Sequence, residues 1–143
     1  MKIVIAQPPN LAEIDRVFPN RGQGVVYAFG DTIYNPGNVK IPRSIIAHEA
    51  AHGLRQQELG KNGVEHWWRS YLDDPEFRYR EEVIGHAAEY LAQVNGHYDR
   101  NANARLLMTT AVRLLASFYG YGKRFTHKQA VNDLRQEAHR MSK

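Results

Sequence analysis

The segment Ile45-Ile46-Ala47-His48-Glu49-Ala50-Ala51-His52 constrains the fold of this chain more than any other. Two histidines four residues apart gain a common purpose only on an α-helix. There, positions i and i+4 lie one above the other on a single face, so His48 and His52 can aim ring nitrogens at one point. Glu49, one residue on, is rotated by about 100° around the helix and can approach that point from the side without sharing it. The neighbouring sequence permits such a helix. After Pro42, residues 43–59 contain no proline, Gly53 is their one interior glycine, and Gly60 is a natural stop.

The remaining segments supply the frame. The apolar run Ile3 to Ala6 is shorter than the roughly 7–15 residues of a secretory core and reads as a strand, broken at Gln7-Pro8-Pro9-Asn10. Leu11, Ile14, Val17 and Phe18 have helical spacing. Val25–Phe29 and Thr32–Tyr34 flank Gly30-Asp31 and read as a hairpin, with Val39–Ile41 as a third short strand. Helices are then expected over 43–59, over Val64–Leu72, from Asp74-Pro75 to Val94, over 103–119 and over about 127–140. Asp74 and Pro75 suit N-cap and N1, and Thr126 with Gln129 suits a capping box. Leu107, Ala111, Leu114 and Phe118 form an apolar stripe expected to be core. The expectation is one α+β domain over 1–143. A small N-terminal antiparallel sheet would precede about five helices, with the functional site on the first long helix.

Composition narrows the chemistry. The chain has no cysteine, so thiolate sites are excluded and any metal must be held by His, Asp or Glu. Its net charge of +4 is dispersed rather than gathered in a block, which fits solubility. No helix-turn-helix or finger pattern is visible, so a nucleic-acid partner is disfavoured. No run approaches the roughly 18 apolar residues of a membrane span, and a cytoplasmic location is expected.

Neutral imidazoles suit zinc, and a catalytic zinc takes three protein ligands with one position left open. The extended pattern HExxHxxGxxH would add a third histidine, but Arg55 and Glu58 occupy its glycine and histidine positions. The alternative is a carboxylate from a later helix. Glu82, 30 residues after His52, is the first choice and Glu81 the second, with His86 and His97 as fallback ligands. Gly85, Ala87 and Ala88 are small enough to let that helix approach closely. Trp67, Trp68 and Tyr71 read first as core and second as a pocket lining.

His48-Glu49-x-x-His52 with Arg55-Gln56-Gln57, then Trp67-Trp68-x-x-Tyr71-Leu72-x-Asp74-Pro75-x-Phe77-Arg78 and Glu82, resembles a group of small phage- and prophage-borne zincin-like proteins. These in turn resemble the gluzincin arm of the HExxH metallopeptidases. The resemblance spans about residues 25–95. It implies a zincin-like fold, Zn2+ bound by His48, His52 and Glu82, and a location in the cytoplasm of a host cell. The function expected is hydrolysis of a peptide or protein substrate by metal-activated water, with Glu49 as general base. The alternative is a metal-binding regulatory or protein-interaction module without proteolytic activity. An oxyanion stabiliser is also needed, and Tyr71, His86, His97 and Tyr98 are candidates. An exposed edge of the hairpin, Val25–Phe29 or Thr32–Tyr34, is the expected seat of an extended peptide.

Overall fold

The computed structural model describes residues 1–94 and 99–143. The candidates His97 and Tyr98 lie outside the described residues. In chain order the elements are strand β1 (Lys2–Val4), helix α1 (Leu11–Val17), strands β2 (Tyr27–Phe29) and β3 (Thr32–Tyr34), then helices α2 (Arg43–Glu58), α3 (Gly63–Asp73), α4 (Pro75–Val94) and α5 (Arg100–Leu114). A 3-10 turn, Ser117–Tyr119, and helix α6 (His127–Met141) complete it. The architecture is α+β: a small N-terminal three-stranded sheet with six α-helices among the described residues.

The hairpin forms, pairing Tyr27 with Tyr34, Ala28 with Ile33 and Phe29 with Thr32, but its first strand begins at Tyr27 rather than at the expected Val25. Gly30 sits at φ +64°, the positive φ that a type II′ turn places on its first central residue. The sheet, however, is mixed rather than antiparallel. β1 runs parallel to β3, with Ile3 opposite Ile33, and the strand order is β1-β3-β2. The physical reason is the crossover. A tight turn forces β2 and β3 to run antiparallel, whereas α1 and its flanking loops give β1 enough chain to reach the far edge of β3. Thr32–Tyr34 is therefore the central strand, and of the two hairpin strands β2 is the one at a sheet edge, packed against α2. Val39–Ile41 forms no strand. The Asn35 side chain accepts from Val39 N at 3.1 Å and donates to Val39 O at 2.8 Å, which closes the segment into a turn.

Two apolar cores flank a polar layer. Ile14, Tyr27, Trp67, Trp68 and Tyr71 form one, between the hairpin, α1 and α3. Tyr79, Val83, Ala87, Leu107, Ala111, Leu114 and the inner face of α6 form the other. Between them, α2 packs on α4. Here the usual apolar stripe is replaced by polar residues at helical spacing: α2 buries His48, His52 and Gln56. α4 presents two faces about 100° apart. Tyr79, Val83 and Ala87 belong to the second core, while Arg78, Glu82 and His86 are buried one residue out of phase. A helix–helix seam made of polar residues costs desolvation, so something must compensate it.

The caps follow local chemistry. Asp74 Oδ1 accepts from Glu76 N, Asp99 caps α5 through Asn101 N and Ala102 N, and Thr126 Oγ1 accepts from Gln129 N. α5 stops at Leu114, short of the expected 119. Phe118 therefore leaves the stripe and is exposed, while Leu107, Ala111 and Leu114 are core as expected.

Candidate metal centre

His48 and His52, one turn apart on α2, and Glu82, from the facing side of α4, meet in the polar seam. His52 Nε2 is 3.1 Å from His48 Nε2. Glu82 Oε2 lies 3.2 Å from His48 Nε2, and Glu82 Oε1 lies 3.3 Å from His52 Nε2. Two ligand atoms bound to a tetrahedral zinc at ~2.0–2.1 Å stand about 3.3–3.4 Å apart, so the observed separations match those around one ion. Glu82 Oε2 and His52 Nδ1 are buried with no hydrogen-bond partner. An acceptor left unsatisfied at the centre of the cluster is what a bound cation would relieve.

The close approach has a local cause. An ideal Cβ on Gly85 would lie 2.7 Å from His48 Nε2 and 2.9 Å from its Cδ2 and Cε1. These near-equal distances place the added carbon over the face of the imidazole, not in its plane. Only glycine at 85 lets α4 lie against the His48 ring while leaving the lone-pair direction of Nε2 open.

Glu89, which the sequence reading did not select, organises the histidines from behind. Its Oε2 lies 2.9 Å from His86 Nδ1 and 3.3 Å from His48 Nδ1, and its Oε1 accepts from Arg113. The carboxyl is held well below the usual range: burial opposes ionisation, but the hydrogen bonds from His48 and His86 outweigh it. An ionised carboxylate can only accept, so both Nδ1 atoms carry the proton. In neutral rings this leaves Nε2 of His48 and His86 as lone-pair donors, the tautomer a metal requires.

His86 faces the same cluster. His48, Glu82 and His86 each offer a ligand atom within 4.8 Å of the others. His86 Nε2 is 3.7 Å from Glu82 Oε2 and 2.9 Å from the hydroxyl of Tyr119, another residue that sequence reasoning missed. Tyr71 donates to Glu82 Oε1 at 2.6 Å, so its hydroxyl is committed to orienting that carboxylate. Glu81 points elsewhere. It is buried in a two-pronged pair with Arg55, whose Nη2 lies 2.9 Å from Oε1 and whose Nε lies 3.1 Å from Oε2.

Glu49 lies half-buried in the wall of the cavity that holds these groups. Its carboxyl is raised above the ordinary range, chiefly by burial, with Glu82 adding to the shift; His48, His52 and a hydrogen bond from the Ala28 backbone pull the other way. The charge balance also points to a cation. Of Glu49, Glu82 and Glu89, only Glu89 has an arginine partner among the described residues. With the protein's own groups alone, burial is the largest influence on His48 and opposes its charge. The adjacent carboxylates of Glu82 and Glu89, with the field of Glu49, outweigh it and push its pKa up to about 10. The carboxylates thus demand a positive charge on the Nε2 side of His48, and a divalent ion would answer the same demand as a proton.

The free edge of β2 is partly consumed. Ala28 O accepts from Gln56 Nε2 at 3.0 Å and from Trp68 Nε1 at 3.1 Å, and the Ala28 amide serves Glu49. An extended peptide cannot pair with Ala28 without displacing these bonds, and Val25 and Val26, expected as part of the strand, line the cavity but lie outside β2.

No family model, curated protein or solved structure matches the chain. Among the described residues no helix is long and apolar enough to cross a membrane.

Proposed function

We propose that this chain is a zincin-like, zinc-dependent metallopeptidase. His48, His52 and Glu82 would bind the ion and Glu49 would act as the general base. The observation that carries the reading is the convergence of His48 Nε2, His52 Nε2 and Glu82 at 3.1–3.3 Å in an accessible cavity that Glu49 also lines. The helix-borne histidine pair following a small sheet supports the zincin-like assignment, and the cysteine-free donor set suits a cytoplasmic protein.

Zinc held by these residues would supply the Lewis acidity that acidifies a water and polarises a carbonyl. Glu49 then accepts the water proton on its carboxylate and delivers it to the nitrogen of the leaving amine. Glu89 holds His48 in the required tautomer, and Tyr71 fixes the orientation of Glu82. His86 stands on the cavity wall, where its Nε2, unprotonated, accepts from the Tyr119 hydroxyl at 2.9 Å.

One observation favours a second reading. If His86 Nε2 moved into the fourth position, the site would be closed by four protein donors, and the protein would be a metal-stabilised binding or regulatory module. Glu49→Gln separates the two readings. Zinc and fold should be retained while hydrolysis of a casein-derived peptide mixture disappears. Equal turnover by wild type and variant would rule out Glu49 as the base.

A further inference from the structure

We infer that the cavity selects peptides carrying bulky apolar, non-basic side chains beside the scissile bond. This deepens the peptidase reading and rests on it for the location of that bond. The cavity has a volume of about 810 Å³. That lies inside the ~300–1,000 Å³ span of small-ligand sites, enough for a short peptide segment. Away from the histidines and glutamates, its wall is chiefly aliphatic and aromatic: Ile14, Phe18, Val25, Ile41 and Ile45 all line it.

The mouth gives the second observation. Val17, Val39 and Phe118 are 39%, 37% and 69% exposed, and all three line this cavity. None packs into either apolar core. Water-exposed apolar carbon gathered around the entrance of a site is unfavourable alone and becomes favourable when an apolar ligand covers it. Charge adds the third. Among the described residues, the lining holds no carboxylate beyond Glu49, Glu82 and Glu89. Arg21, Lys40 and Arg113 are its other charged members. A lysine or arginine side chain entering the apolar part would lose its hydration and meet no counter-charge there.

The test measures binding and cleavage separately. N-acetyl-Gly-Leu-Phe-amide and N-acetyl-Gly-Ser-Gln-amide are titrated calorimetrically into zinc-supplemented Glu49→Gln protein. The apolar peptide should bind about tenfold tighter or more, as expected for burying two large apolar side chains. Val39→Asp in the same background should erase most of the preference by weakening the Leu-Phe peptide far more than the Ser-Gln peptide. Phe118→Ser, at a more exposed position, serves as a second variant should the first fail to fold. Equal affinities, tighter binding of the polar peptide, or no binding of either would overturn the inference. Both peptides are then incubated with wild-type protein. Preferential binding without cleavage leaves the pocket assignment standing and removes the peptidase reading. Cleavage of both at one rate does the reverse.

Discussion

Gly85→Ala should separate metal binding from folding. The added carbon would lie 2.7 Å from His48 Nε2 and 2.9 Å from two ring carbons. Ordinary carbon contacts are ~3.5–4.0 Å, so the overlap is about 1 Å. The ring has no easy retreat. Glu89 holds Nδ1 on one side, and His52 and Glu82 crowd Nε2 on the other. Either α2 and α4 separate or the imidazole swings away. Overpacking of this kind costs ~1–3 kcal/mol, and replacing a mid-helix glycine by alanine returns about 1 kcal/mol. The net loss of about 0–2 kcal/mol is small beside a typical ~5–15 kcal/mol of total stability. Displacing one of the two ligand nitrogens by even part of an ångström should cost at least the ~10–100-fold in affinity seen when an outer support is lost. The expected outcome is a variant that is folded by circular dichroism, melts close to metal-free wild type, and binds zinc far more weakly in competition with a chromophoric chelator. Wild-type zinc affinity in Gly85→Ala would refute the placement of His48 against α4 and, with it, the geometry of the site.

Two further outcomes concern stability. Gln56, fully buried on α2, holds the hairpin through Gly30 N and Ala28 O. Gln56→Leu keeps the bulk but orphans the Gly30 amide, so urea denaturation should show a loss of about 1–3 kcal/mol, and a change under ~0.5 kcal/mol would contradict that role. Burial raises Tyr79 and Tyr121 well above the ordinary phenol value, and in Tyr79 the hydrogen bond to Asp133 adds to it. A raised folded pKa gives stability that is complete below the unfolded value of about 10 and is lost as pH climbs beyond it. These two phenols should therefore ionise together with loss of structure in an alkaline absorbance titration. Reversible ionisation near pH ~10 with native circular dichroism intact would contradict the burial argument.

The site was readable where its logic is local. His48, Glu49 and His52 follow from helical geometry on one segment, and Gly85 announced a close approach on α4. The choice of Glu82 over Glu81 is decided by phase. Position 82 shares a face with Arg78 and His86, while 81 turns toward Arg55. Glu89 had a signal that went unread, a buried acid three residues after His86 on the same polar face. Tyr119 had none, because it arrives from a 3-10 turn whose position depends on packing. Tertiary context likewise decided the mixed sheet, since nothing in residues 2–4 encodes which edge of the hairpin they join. A helical period carried past Leu115 and Ala116 places Phe118 on the apolar stripe, but α5 has already ended there.

The central claim is tested most directly by elemental analysis of protein purified without a histidine tag, after zinc supplementation and exhaustive dialysis, in wild type and in His52→Ala. The account predicts one zinc per chain in the wild type and no stoichiometric zinc in the variant, with both proteins folded. A wild type that retains no zinc, or a His52→Ala protein that retains as much as wild type, would contradict it.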